Sequence, residues 1–370
     1  MRAEPAAPRE ALAAIRAPLH ATGAEPADAP ILQPLNLLLD LAGEAMRARL
    51  FIVQAEGGAE ACLRPDFTVA IARAHLESGR AEGRYVYEGP AFRASPEADR
   101  PEEFVQLGLE MFGGDPLAAD VEAASLAWAS AAAGGRSDLT LWLGDVGLLG
   151  PFIESLSLPA ALAARLKRVA GRPRLLAAEL TRTERAAPAA GGQLAGLLSG
   201  LSETEAAAML EEVWALAGVE PVGGRGPAEI AARLIRKAEA AAAPALTEDQ
   251  AMAIRDFMAI SATPSEALTC VRELAGRKTK ALDAALDAWS ARLDGLAVPE
   301  DRLRFAPALG HAFDYYDGLT FEVRSEALGD DRPVAVGGRY DGLLARLGGQ
   351  GGRAVGCMVR PWRAYAGGEA

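Results

Sequence analysis

Between Phe104 and Phe112 the side chains alternate with period two. Val105, Leu107, Leu109 and Met111 fall on one face, and Phe104, Gln106, Gly108 and Glu110 on the other. The preceding stretch, Tyr85-Val86-Tyr87-Glu88-Gly89-Pro90-Ala91-Phe92-Arg93, has the same strand character, so the two predict a hairpin across a polar loop. An amide and a carboxylate beside a glycine gap make a poor core face, because burying a polar group without a partner costs free energy. They make a good pocket wall. Strand-like alternation returns at 320–324, 334–336 and 355–359.

Helical spacing predicts a helix over 9–25 and an apolar one over 35–47, opened by Pro34, since proline is favoured at the first helical position. From about 150 to 300 the pattern is helical almost throughout, with helices expected over 159–169, 203–217, 227–241, 247–260, 264–274 and 280–293. Breakers at 191–192, 223–227 and Thr263-Pro264 punctuate it, and Ser202, Thr247 and Thr263 stand where N-caps fall. The chain thus reads as a β-rich part over 1–150, a helical insertion over 151–300 and a second β-rich part over 301–370.

Half of the 370 residues are hydrophobic, yet no apolar run approaches the roughly 20 residues that span a bilayer. Met1-Arg2-Ala3-Glu4-Pro5 lacks the basic start and apolar stretch of a signal peptide. Cys62, Cys270 and Cys357 are scattered and odd in number, which argues against a disulfide framework or a zinc site. A cytoplasmic protein without a metal or a membrane partner is expected. The formal charge is −12, with only four lysines. Proteins that hold nucleic acid pair Lys and Arg with phosphates, so this balance weighs against a nucleic-acid partner.

Three ordered segments carry a resemblance. Leu63-Arg64-Pro65-Asp66-Phe67-Thr68, with the hairpin after it, resembles motif 2 of class II aminoacyl-tRNA synthetases, most closely the histidyl version. Phe313-Asp314-Tyr315-Tyr316-Asp317-Gly318-Leu319-Thr320-Phe321-Glu322 is similar to that family's Leu-Asp-Tyr-Tyr segment. Gly337-Gly338-Arg339-Tyr340-Asp341-Gly342-Leu343 resembles its Gly-Gly-Arg-Tyr-Asp-Gly signature. The likeness covers 30–115 and 305–365. It implies an α+β fold, a class II synthetase-like antiparallel sheet flanked by helices with the helical region inserted. It also puts Pro34 in motif 1, a dimer-interface element. Synthetases continue past the last strand into an anticodon-binding domain, which is not expected here.

The resemblance further implies a pocket for free L-histidine. Asp66 and Thr68 map near the α-amino group, Gln106 beside it, Glu110 and Tyr316 at the imidazole, and Arg93 near carboxylate or phosphate. Tyr315, His311, Gly337 and Gly338 complete the expected ligand set. Asp66 stands where the family usually has the longer Glu. Read singly, Tyr316 fits a core aromatic equally well, Arg93 a surface ion pair, Gln106 and Glu110 an exposed sheet face, and Gly337-Gly338 a tight turn.

The residues for adenylation do not carry over. Gly310-His311-Ala312 stands where the synthetases have an arginine, and a neutral histidine is a poor substitute for a guanidinium. After Arg93 the loop carries Glu97, Asp99, Glu102 and Glu103 with Arg100 as its only cation, a field expected to repel a triphosphate. Arg363 falls at the motif 3 arginine, but Arg360-Pro361 replaces small residues and is expected to distort or fill the adenine subsite. Histidine recognition without adenylation resembles the family of regulatory subunits of ATP phosphoribosyltransferase. That resemblance implies no catalytic residues, no cofactor, a short-form catalytic subunit as partner, a homodimer within a hetero-oligomer, and L-histidine as effector. A stand-alone histidine-activating ligase and a histidine-binding scaffold with an unrelated partner are the rival readings.

Overall fold

The computed structural model describes all residues except 1, 55–57, 59, 98, 171–172, 182–204, 210–211, 213–244, 311–314 and 369–370. The helix expected over 227–241, the breakers at 191–192 and 223–227, Ser202 and His311 lie outside the described residues, as does most of 203–217. The chain divides into two compact units, Met1–Ser155 with Asp256–Ala370, and Leu156–Arg255.

The strands are β1 Glu25–Pro26, β2 Leu32–Pro34, β3 Ile52–Gln54, β4 Glu60–Leu63, β5 Gly83–Phe92, β6 Glu103–Phe112, β7 Leu139–Asp145, β8 Leu303–Phe305, β9 Leu319–Ser325, β10 Ala335–Arg339 and β11 Ala354–Val359. The described helices are α1 Arg9–His20, α2 Leu35–Ala42, α3 Thr68–Ser78, α4 Pro116–Ala132, α5 Leu149–Ser155, α6 Ala160–Val169, α7 Pro173–Leu180, α8 Glu248–Ala259, α9 Pro264–Leu274, α10 Lys280–Gly295, α11 Asp341–Arg346 and α12 Pro361–Ala364.

Local chemistry sets the helix ends. Asp115 caps α4 by accepting from the Ala118 N–H at 2.8 Å, and Thr263 with Glu266 forms a capping box on α9. Thr247 and Gln250 exchange the same kind of bonds at the start of α8. The helix expected over 9–25 ends at His20, because Gly23 turns the chain at φ +69° and Glu25-Pro26 then pairs as β1. The helix expected over 35–47 stops at Ala42, where Gly43 takes φ +81°, and a 3-10 turn, Glu44–Arg49, follows. Pro34 does not occupy the first helical position. It closes β2 opposite Ala61 and precedes the helix.

Eight strands form one sheet in the order β1-β5-β6-β11-β10-β9-β7-β8, and β2-β4-β3 form a second. The large sheet is mixed rather than antiparallel throughout. Its two edge pairs, β1 with β5 and β7 with β8, run parallel. Each is joined by a long connection, as a parallel pair requires, whereas β5 and β6 meet as the expected hairpin. Helix α4 packs on β10 and β11, and α1 packs on α4. The opposite face of the central strands is left for a cleft. In the second unit Leu162, Leu166 and Leu176 are buried, and Arg165 meets Glu179 at 2.9 Å.

Candidate functional site

Cross-strand register builds the cleft. Gly89 pairs with Gln106, Tyr87 with Gly108, and Gly356 and Gly338 stand in one row with Glu110. Each polar side chain therefore has a glycine beside it. A Cβ at Gly356 would overlap the Glu110 carboxylate, and one at Gly108 would overlap the Tyr87 hydroxyl. Small residues here are a spatial requirement. The resulting cleft holds about 510 Å³ and is lined by Asp66, Thr68, Arg93, Gln106, Glu110, Tyr315 and Tyr316, among others.

Gln106 is 0 % exposed, and among the described residues neither its Oε1 nor its Nε2 has a hydrogen-bond partner. Asp66, just ahead of α3, has the same deficit at Oδ1, while its Oδ2 accepts from the Tyr315 hydroxyl at 3.4 Å. Buried polar atoms are ordinarily paired, so these three mark a place where a partner is missing. Burial lifts the Asp66 carboxyl above its ordinary range against the pull of Arg93.

Glu110 is fully engaged. Its Oε1 accepts from Thr68 at 2.7 Å and its Oε2 from the Tyr340 hydroxyl. Burial pushes its carboxyl up to about 7 despite those bonds. Tyr315, Tyr316 and Tyr340 pack edge-on or tilted around it, with centroids 4.8–6.3 Å apart. Tyr340 was not among the expected site residues, although it lies inside the Gly-Gly-Arg-Tyr-Asp-Gly signature.

Arg93 donates from Nε to Pro65 O at 2.9 Å and lines the cleft. Gly337 and Gly338 do not line it and form no turn, for both lie within β10. A side chain at Gly337 would meet the Phe321 ring, and one at Gly338 would stand 2.8 Å from Tyr316 Cδ1. A side chain at Gly338 would also overlap the Leu319 carbonyl oxygen. His311 lies outside the described residues.

The frame behind the site is ionic. Asp120 on α4, buried, takes Arg339 Nε at 2.8 Å and Arg292 Nε at 2.8 Å, while Arg339 also holds Asp341. Asp317 accepts from the Asp341 and Gly342 N–H groups at 3.0 and 2.6 Å, tying the Tyr315-Tyr316 turn to α11.

The outer end of the cleft is walled by Phe104, Arg360 and Arg363. Arg360 stacks on Phe104 with its guanidinium carbon 3.5 Å from the ring centroid, and Glu4 bridges Arg360 and Arg363. No local reading of either segment signals this pairing. In the loop before Phe104, Asp99 meets Arg332 at 2.5 Å and Glu102 meets Arg2 at 3.5 Å, while the loop's cation Arg100 meets Asp331 at 2.5 Å. Among the described residues no group of three or more His, Cys, Asp or Glu is placed to hold a metal ion, and no helix is long and apolar enough to cross a membrane.

Residues 3–222 and 227–361 match the histidyl-tRNA synthetase family model. A protein of Brucella canis named ATP phosphoribosyltransferase regulatory subunit is 36% identical over 347 residues, covering 90% of each chain. Among solved structures, an ATP phosphoribosyltransferase regulatory subunit/histidyl-tRNA synthetase from Bacillus halodurans superposes with TM-score 0.64 at 19% identity, covering 96% of this chain and 77% of its own. A histidine–tRNA ligase subunit from Alicyclobacillus acidocaldarius gives TM-score 0.54 at 23% identity, covering 97% and 91%.

Proposed function

The chain belongs to the ATP phosphoribosyltransferase regulatory subunit family and carries a histidyl-tRNA synthetase-type domain, and on that premise we propose that it is a non-catalytic cytoplasmic subunit that binds L-histidine and transmits its level to a short-form catalytic partner in the first step of histidine biosynthesis. The observation that carries this reading is the contrast between the two ends of one cleft. The inner end presents unpartnered polar atoms, whereas at the outer end Arg360 lies on the Phe104 ring and is paired with Glu4.

A zwitterion supplies what the inner atoms lack. Its ammonium group suits Asp66 Oδ1 and Gln106 Oε1, while its ring N–H and its carboxylate suit Glu110 and Arg93 as additional partners beside those each already holds. The Arg360 guanidinium already lies against the Phe104 ring and competes with a nucleotide base for it, which supports the loss of adenylation. Exposed Ile31, Leu32 and Ile52, on and beside the three-stranded sheet, support a homodimer within the hetero-oligomer.

Regulation requires that histidine bind one arrangement of the assembly better than another, with a coupling free energy of typically about 1–3 kcal/mol. Calorimetric titration of the chain with L-histidine tests the pocket. Saturable binding that Asp66→Ala abolishes is the expected result. Histidine-dependent exchange of pyrophosphate into ATP would instead mark the chain as a ligase.

A further inference from the structure

Helix α10 packs on α4 and α5, and none of its residues lines the cleft. It nevertheless sends two polar side chains toward the sheet, and both lead to the same segment. The Trp289 indole N–H donates to Asp145 Oδ2 at 2.7 Å, with the residue only 1% exposed. Asp145 closes β7 opposite Leu319, and the next residue, Val146, donates its N–H to Gly318 O at 3.0 Å. Arg292 donates from Nε to Asp120 Oδ2 at 2.8 Å. Asp120 Oδ1 accepts from Arg339 Nε at 2.8 Å. The Arg339 stem passes so close to Gly318 that a Cβ there would stand 3.2 Å from it, and Arg339 O accepts from the Asp317 N–H at 3.0 Å.

Segment 315–319 is thus held at Asp317 and Gly318 by two residues that α10 anchors through buried or half-buried carboxylates. Hydrogen bonds to charged groups fix direction as well as distance, whereas apolar packing is non-directional. Burial lifts the Asp145 carboxyl above its ordinary range, and Trp289, the Gly147 N–H and Arg292 pull it back. Arg292 therefore acts on both carboxylates. The segment carries Tyr315 and Tyr316 into the cleft, where the Tyr315 hydroxyl reaches Asp66 Oδ2 at 3.4 Å. A small shift of 315–319 moves both rings.

We infer that Trp289 and Arg292 are positioning residues for the cleft: by holding Asp145 and Asp120 they set segment 315–319, and with it Tyr315 and Tyr316, although α10 touches no ligand. Its expression as histidine affinity rests on the histidine reading above, whereas the placement of the segment does not.

Amide hydrogen exchange of the ligand-free full chain tests the placement. Arg292→Met should speed exchange at Asp317 about tenfold, and Trp289→Phe, which keeps an aromatic ring and removes one N–H, should do so at Val146. The amides of the β5–β6 hairpin should keep their rates. Unchanged exchange at Asp317 and Val146 would overturn the inference, as would equal acceleration in the hairpin, which marks a general loss of stability. Calorimetric titration with L-histidine reads the consequence. Arg292→Met should weaken binding about tenfold, and its loss should not add to that of Tyr316→Phe in the double variant. Unchanged affinity or fully additive losses would overturn the inference. An unmodified chain that binds no L-histidine would sink the histidine reading instead, and the exchange rates would still decide the placement.

Discussion

Replacing Glu110 by Gln removes one charge from the innermost wall while keeping its shape. In the folded chain burial raises this carboxyl from 4.5 to about 7, against hydrogen bonds from Tyr340, Thr68 and Tyr87. At 1.36 kcal/mol per pH unit the rise corresponds to about 3 kcal/mol. The folded state holds the proton more tightly than the unfolded chain. This contribution to stability is therefore complete below pH 4.5 and is lost as the pH climbs through about 7. Glutamine does not titrate. Across that window the unmodified chain should lose about 3 kcal/mol relative to Glu110→Gln. Urea unfolding at a series of pH values, without ligand, measures the difference. Stability curves that run parallel across the window would refute the reasoning, since they would mean that Glu110 titrates alike in both states.

Other perturbations test neighbouring parts of the account. Gly356→Ala puts a methyl group into the Glu110 carboxylate and should cost about 1–3 kcal/mol in chemical unfolding, together with histidine affinity. Asp120→Asn removes the shared carboxylate of Arg339 and Arg292 and should cost about 3–5 kcal/mol in the same assay. Asp66→Ala and Gln106→Ala should relieve histidine inhibition of the assembled enzyme while size-exclusion chromatography shows the assembly intact. Loss of assembly by each would assign those side chains a structural role.

The hairpin of β5 and β6 was legible because period two depends only on neighbours along the chain, and the polar face it predicts is the wall of the cleft. Capping was legible at Thr247 and Thr263 for the same reason, each reaching a residue three positions on. Distant pairing was not. Gly337 and Gly338 looked equally suited to a turn, and only their places opposite Cys357 and Gly356 show why they lack side chains. The partners of the loop charges were not legible, because Arg2, Arg332 and Asp331 come from elsewhere in the chain. Nothing near Glu4 foretells Arg360, 356 positions away. The parallel edge strands also escaped notice, since alternation is the same in parallel and antiparallel edge pairs.

The most direct test of the central claim is phosphoribosyl-ATP formation by the short catalytic subunit of the same organism, assayed with and without this chain across a histidine titration. The account predicts activity that depends on the chain and falls as histidine rises. Activity indifferent to both would contradict it.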